Sequence, residues 1–277
     1  MVTVNQQRVP RKRTYLLCSP ERFAVEYAIN PWMDVTKPVD VELAVKQWNR
    51  LRETLVVLGH EVHLLTPEAG LPDMVFAANG AFMVDGTVYG ARFKHEQRAP
   101  EAALHRAFYE SQGWRFIAAG ETNEGEGDFV YLPEAYGGLI LAGHGFRTEL
   151  PAHAEAQEAF GRPVVSLHLV DPRFYHLDVA LAAIDDGNVA YHPGAFSAAS
   201  QKVLAQLFPD AVLADDSDAL AFGLNLVSDG ANVVLNGDAT RLAGKLKAAG
   251  YTPVPVELSE MRKGGGSVKC CIAELRH

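Results

Sequence analysis

An apolar strand, a glycine turn, a second strand, a helical stretch and a third strand recur in the same order along this chain. The glycine turns stand in FMVDGTVYGARF, FVYLPEAYGGLILAGHGFR, ALAAIDDGNVAYHPGAF and NLVSDGANVVLNG. Asp85-Gly86, Gly137-Gly138 and Asp186-Gly187 are hairpin signals between β-rich runs. A helical stretch follows each hairpin: PEAALHRAFYESQGW, LPAHAEAQEAF, SAASQKVLAQLF and DATRLAGKLKAAG. In the last of these, Leu242, Leu246 and Ala249 share one face. The strands RFIAA, PVVSLHL, AVLA and TPVPVEL then close the units. The first unit is less regular: strand TYLLCSP, a long helix in VDVELAVKQWNRLRETLVVLG, then strand EVHLLTP. Its apolar stripe reads Val41, Val45, Trp48, Leu51 and Leu55. The tally is about five ββαβ units, near the 40–50 residues of blade-like repeats. This regular order favours a repeat over an asymmetric α/β sandwich.

No Ser/Gly-rich or charge-rich linker interrupts the 277 residues, so the expectation is one domain over 1–277 with residues 1–13 as a flexible arm. Arg11, Lys12 and Arg13 read as solvated charges of that arm. The formal charge of −9 argues against a broad nucleic-acid surface and favours a cationic small molecule. No run of about 18 apolar residues occurs, and the basic N-terminus lacks the apolar core of a signal peptide. Three cysteines, Cys18, Cys270 and Cys271, make no disulfide framework, and neither CxxC nor HExxH is present. The expected setting is reducing and cytoplasmic, without metal.

Four segments carry reactive residue types, each with a plain structural alternative. In MRKGGGSVKCCIAEL, Cys270 follows three glycines at the start of an apolar strand. It reads equally as an exposed nucleophile or as one of two buried structural cysteines. In FYHLDVALAAID, His176 and Asp178 are two apart and share a face if extended. They suit acid–base work, or a structural histidine. In TNEGEGDFVYL, Glu124, Glu126 and Asp128 crowd a glycine-interrupted loop that is either a solvated turn or a site answered by a cation. In GLPDMVFAANGAFMV, Asp73, Phe76 and Asn79 surround a short apolar step, or a loop with an Asx turn. Arg98 and Arg147 are surface charge or carboxylate clamps.

Together these segments resemble one family along nearly the whole chain, from YLLCSPERFAVEYAINPWM to GGGSVKCCIAEL. PDMVF, the EGxGD loop, the FRT step, HLD and the Gly-rich loop with its cysteine stand in the order of the guanidino-group-modifying enzymes, the amidinotransferase or pentein superfamily. The resemblance implies an α/β five-bladed propeller of ββαβ units. It implies Cys270 as nucleophile, His176 as general acid/base and Glu124 as its acidic partner, with Glu126 a substitute. It further implies Asp73 and Asp178 on the guanidinium, Phe76 beside it, and Arg98 and Arg147 on the substrate carboxylate. Asn30 and Asn79 resemble a subgroup with asparagines near the substrate. Many dimethylargininases carry acidic residues after the PDxVF step, where this chain has Ala78 and Asn79.

The activity so implied is hydrolysis of a guanidino C–N bond of free or Nω-methylated arginine, giving citrulline, with no cofactor. The alternatives are an arginine dihydrolase giving ornithine and ammonia, or an amidinotransferase. A non-catalytic amino-acid-binding propeller has no use for a thiol nucleophile. The expected partner is a small guanidino substrate, neither nucleic acid nor membrane, with room for a homo-oligomer.

Overall fold

The computed structural model describes residues 8–277. In the first blade β1 (Thr14–Cys18) continues through helix α1 (Val41–Val57) to β2 (Glu61–Leu65). The second blade is β3 (Ala81–Val84), β4 (Thr87–Gly90), α2 (Glu101–Ser111) and β5 (Arg115–Ile117). The third is β6 (Phe129–Leu132), β7 (Leu139–His144), α3 (Pro151–Phe160) and β8 (Val164–His168). The fourth is β9 (Leu181–Ala183), β10 (Val189–Tyr191), α4 (Ala198–Leu207) and β11 (Val212–Leu213). A short helix α5 (Asp216–Leu220) leads to the fifth: β12 (Val227–Ser228), β13 (Asn232–Asn236), α6 (Thr240–Ala248) and β14 (Thr252–Val256). One further turn of helix, α7 (Ser259–Arg262), precedes β15 (Ala273–Glu274).

Each blade is a three-stranded sheet of one design. The middle strand pairs antiparallel with the inner strand and parallel with the outer one, as in β6–β7 and β7–β8. The hairpin is therefore local, while the parallel step needs a helical crossover. At the second hairpin position, Asp85 (φ 48°) and Gly86 (φ 74°) are both left-handed. That is the two-residue turn whose twist matches the strands. The inner strands β15, β3, β6, β9 and β12 touch their neighbours around a common axis, as at β15–β3, β6–β9 and β9–β12. The five-bladed α/β propeller implied by the resemblance is thus the observed fold.

Several expectations need correction. The first unit looked irregular because its inner strand comes from the other end of the chain. β15 pairs antiparallel with β1, Tyr15 opposite Glu274 and Leu16 opposite Ala273, and so closes the ring. The buried stripe of α1 is Ala44, Trp48, Leu51 and Leu55, while Val41 is exposed and Val45 only half-buried. Ala249 likewise caps α6 and is exposed, leaving Leu242 and Leu246 as the buried pair.

The supposed arm is also not free where it is described; residues 1–7 lie outside the described residues. The Arg11 amide donates to the Asp229 carbonyl at 2.8 Å, and Arg11 pairs with Asp186 and Glu134. Arg13 pairs with Asp186 and, at 3.5 Å, with Glu274. Arg8 bonds Asp185 at 2.8 Å and covers the ring of Tyr251. The physical cause is the Asp185-Asp186 turn, which concentrates negative charge where the basic segment passes. Arg11 and Lys12 are both exposed, as expected of solvated charges, Lys12 with a long 3.4 Å pairing to Glu61.

Candidate active site

The ends of the inner strands bring the reactive residues together. Ahead of β3 are two short 3-10 turns, Pro72–Val75 and Ala77–Gly80, carrying Asp73 and Asn79. Ahead of β6 the turn Gly125–Gly127 lies between Glu124 and Asp128. Ahead of β9 the turn Leu177–Val179 begins after His176 and contains Asp178. Cys270 lies in a tight turn three residues before β15. Pieces more than a hundred residues apart in sequence thereby meet at one end of the axis. Gly125 is required for this folding: it has φ 54°, and a Cβ there would come within 2.5 Å of the Ala81 carbonyl oxygen. Gly266 is a second such position, since its Cβ would meet the Phe76 ring at 2.5 Å and the Cys270 Cβ at 2.9 Å.

Cys270 is 2% exposed. Its Sγ donates to Asp178 Oδ2 at 3.2 Å and receives the Asn225 side-chain amide at 3.1 Å. Burial and the neighbouring Asp178 carboxylate push the thiol well above its usual range. Burial likewise raises Asp178 to about 7, while its Oδ1 has no hydrogen-bond partner. Both cysteines occupy a turn rather than the start of a strand, so strand alternation does not separate them. They separate nonetheless: Cys271 is fully buried, its thiol raised by burial and by Cys18.

His176 Nε2 lies 2.8 Å from Glu124 Oε2. Glu124 also receives Arg147 Nη1 at 2.7 Å and the Lys94 amide at 3.3 Å. Despite burial, Arg147 and His176 hold its carboxyl well below the usual carboxylate range. An ionised carboxylate only accepts, so His176 must donate from Nε2. Its Nδ1, buried and without a partner, is then the nitrogen open to proton transfer. Asp128 braces this pair, receiving the Leu177 amide at 3.0 Å and the Thr148 hydroxyl at 2.7 Å. His176 and Asp178 sit on a 3-10 turn, not a strand, and face different partners. Glu126, two residues from Glu124, points the other way, to Lys269, Arg276 and the Glu274 amide.

A space of only about 10 Å³ is lined by Ile29, Asn30, Met33, Asp73, Phe76, Asn79, Arg98, Arg147, Tyr175, Gly264 and Cys270. Asp73 receives the Tyr27 hydroxyl at 2.8 Å on one oxygen and nothing on the other. Burial raises its carboxyl. Asn30 is a clasp, donating to the Gly264 carbonyl at 3.0 Å and accepting from the Trp32 amide at 2.9 Å. Phe76 stands edge-on to Phe23 with ring centres 5.5 Å apart. Arg147 stacks over Tyr175 at 4.7 Å and donates to the Ile29 carbonyl.

Arg98 differs from the expected open clamp. Its Nε and Nη2 grip Glu101 at 2.9 and 2.8 Å, and its Nη1 donates to Asn79 Oδ1 at 2.7 Å. The bidentate edge is therefore committed within the protein, and Nη2 also reaches the Asp73 and Phe76 carbonyls of the pocket wall at 3.2 and 3.4 Å. Sequence reasoning missed Glu101, Tyr175 and Asn225. The spacing Arg98-x-x-Glu101 at the start of α2 could have revealed the first. Laying the repeats over one another could have revealed Asn225, which precedes β12 as Asn79 precedes β3.

A larger cavity, about 510 Å³, is elsewhere on the axis, lined by Arg13, Lys269, Arg276, Asp186 and Glu274 among others. It reaches Asp178 but not Cys270. No helix among the described residues is long and apolar enough to cross a membrane.

No protein-family model matches the sequence. The chain is 52% identical over 269 residues to the N(G),N(G)-dimethylarginine dimethylaminohydrolase of Mycobacterium tuberculosis, covering 97% of this chain and 88% of that protein. It is 35% identical over 260 residues to the bifunctional arginine dihydrolase/ornithine cyclodeaminase ArgZ of a Synechocystis species, of which it spans 36%. The crystal structure of the N-terminal domain of ArgZ, a cyanobacterial arginine dihydrolase, as a cysteine-to-serine variant bound to substrate, superposes with a TM-score of 0.91. That match is 32% identical and covers 96% of this chain and 99% of that one. With its five-bladed fold and buried Cys, His and Glu, the chain belongs to the dimethylarginine dimethylaminohydrolase family of the pentein superfamily and is an amidine hydrolase acting on a C–N bond.

Proposed function

We propose that the enzyme hydrolyses free or Nω-methylated arginine to citrulline, with Cys270 as nucleophile. The observation that carries this reading is the Cys270 sulfur at 3.2 Å from Asp178 in a pocket that also holds Asp73. Two buried carboxylates, each with an unpartnered oxygen, suit a planar cation with several N–H groups. A guanidinium is a poor electrophile, so attack needs a thiolate and close orientation. The arriving cation stabilises the thiolate that burial otherwise disfavours.

The thiol proton passes to His176 Nδ1, and the sulfur attacks the guanidino carbon. His176 then protonates the departing amine as the C–N bond breaks, leaving a thiouronium on Cys270. His176 next takes a proton from water as the water oxygen attacks the same carbon. Collapse releases the ureido product, and the proton returns to sulfur. Glu124 holds the imidazole in the tautomer this requires and stabilises its cationic form. Arg147 and the Nη1 side of Arg98 receive the substrate carboxylate, Phe76 packs beside the guanidinium, and Asn30 and Asn79 bound the pocket. The pocket as it stands has room for about one water. A guanidino amino acid is larger, so its binding requires the lining to open, for instance by release of the Tyr27–Asp73 and Asn30–Gly264 hydrogen bonds. All three cysteines are free, which accords with a reducing cytoplasmic setting.

A second reading, an arginine dihydrolase giving ornithine and ammonia, is favoured by Asn79 and by the likeness to ArgZ. A neutral amide can hold a neutral ureido group for a second attack, where a carboxylate prefers the cation. Parallel assays with arginine, monomethylarginine, dimethylarginine and agmatine, separating citrulline from ornithine over time, decide between them. Dimethylamine with stable citrulline supports the first reading. Ornithine from arginine, diverted to citrulline by Asn79→Asp, supports the second. No amine or ammonia released in buffer alone, with transfer to an added amine acceptor, overturns both in favour of an amidinotransferase.

A further inference from the structure

Four of the five inner strands are preceded by a residue already discussed: Asn79 before β3, Glu124 before β6, His176 and Asp178 before β9, Cys270 before β15. The fifth, β12, is preceded by Asn225, which is fully buried. Its side chain has two acceptor sites and two donor hydrogens, and all four are used. Oδ1 accepts from the Ser267 and Cys270 amides, both at 3.0 Å. Nδ2 donates to the Asp178 carbonyl and to Cys270 Sγ, both at 3.1 Å. The two backbone N–H groups demand the oxygen on their side, so the NH2 must face the sulfur. The Asn225 carbonyl in turn accepts from the Lys269 amide at 3.2 Å.

We infer that Asn225 is a positioning residue for the thiol. Its oxygen pins the turn that carries Cys270, and its amide N–H aims the sulfur and stabilises the thiolate. The two side-chain groups against the sulfur have opposite effects. Asp178 favours the thiol by charge and by accepting its proton. Asn225 favours the thiolate, because a donated hydrogen bond strengthens when the acceptor is ionised. Without Asn225 the sulfur would keep Asp178 and lose its side-chain donor. The inference rests on Cys270 being the nucleophile.

The test is Asn225→Asp, which keeps the shape and the oxygen that accepts both backbone amides but turns the donor to sulfur into an acceptor. The readouts are kcat, KM and the pH profile of Cys270 alkylation by iodoacetamide, with the labelled peptide mapped. Asp178, Tyr175 and Cys271 are the titratable groups beside the sulfur, Lys269 acts on Asp178, Asp73, Arg98 and Arg147 line the same pocket, and His176, the proton acceptor of the proposed mechanism, shares Glu124 with Arg147. All remain in place in the variant. The expected result is an alkylation midpoint about one pH unit or more higher, a fall in kcat of about tenfold or more, and little change in KM. Asn225→Ser, small and neutral, serves if the buried carboxylate prevents folding, and the same shift is expected of it. An unchanged alkylation profile and kcat in either folded variant overturns the inference. Turnover retained by Cys270→Ala instead overturns the nucleophile assignment on which it rests, so the two failures are distinct.

Discussion

The segment Glu124-Gly-Glu126 sends one carboxylate to each of two charged regions on the propeller axis, and the regions are built by opposite rules. On Glu126's side each charged group has an oppositely charged partner, although Arg13 Nε is buried without a hydrogen bond. Glu126 holds Lys269 and Arg276, Arg276 also holds Glu274 at 2.8 Å, and Arg13 bridges Asp186 and Glu274. On Glu124's side charges are gathered without full compensation. Asp73 Oδ1, Asp178 Oδ1 and His176 Nδ1 are buried and have no partner. Buried polar atoms normally find partners, and unsatisfied ones cost stability. The charge-paired network closes the ring, joining the last strand to the third and fourth blades. The unsaturated one is disposed for a ligand to complete.

The sharpest test of this contrast uses the two cysteines. Cys270→Ser is expected to abolish turnover, and Cys271→Ser to keep most of it. Labelling with a haloamidine followed by peptide mapping checks the assignment, and label chiefly on Cys271 would reverse it.

The two glutamates come next. Glu124→Gln leaves the imidazole with a weaker partner, and a loss in kcat of roughly a hundredfold or more is expected, within the range for acid–base groups. Glu126→Gln leaves Lys269 and Arg276 facing a neutral side chain. Removing one member of a buried ion pair costs about 3–5 kcal/mol, so the expected loss is in denaturant midpoint, with turnover largely kept. If the stability loss followed Glu124 and the activity loss followed Glu126, the division of labour would be wrong.

Asp178 is expected to show the stability cost of the open region through pH. Its folded carboxyl sits at about 7, above the unfolded value. A raised folded value gives stability that is complete below the unfolded pKa and is lost as pH rises through the folded one. Between about pH 4 and 7 the wild type should therefore lose stability that Asp178→Asn does not. At pH 8 the variant should be about 1–3 kcal/mol more stable and poorly active. Parallel urea titrations at pH 5 and pH 8 check this; equal pH dependence of the two proteins contradicts it.

The mildest effect concerns Arg98 and Arg147. Agmatine lacks the carboxylate they are proposed to receive. Losing a charge-assisted pair in a desolvated site costs about 2–5 kcal/mol, so kcat/KM at least about tenfold below that for arginine is expected. Equal efficiency on the two substrates would remove both arginines from substrate binding.

The repeat was legible in the sequence because each hairpin and each strand–helix–strand crossover is local. Asp85-Gly86 and the buried pair Leu242 and Leu246 are encoded within a few residues of one another. Asp73, Asn79, Glu124, His176, Asp178 and Cys270 stood out for the same reason, since each lies in a short motif before an inner strand, whereas Asn30, Arg98 and Arg147 lie in loops that follow β1, β4 and β7. What local pattern could not give was closure and partnership. The first blade takes β15 from the far end of the chain, Arg11 and Arg13 find Asp186 about 175 residues away, and Glu124 and Glu126 part company only because the turn between them is wound against Ala81. Asn225 stayed hidden because its meaning lies in the sulfur it touches, 45 residues on. Short-range sterics and periodicity determined which elements form. Ring closure decided which charges share a low-dielectric neighbourhood, and therefore which of them are bound within the protein and which are left for a substrate.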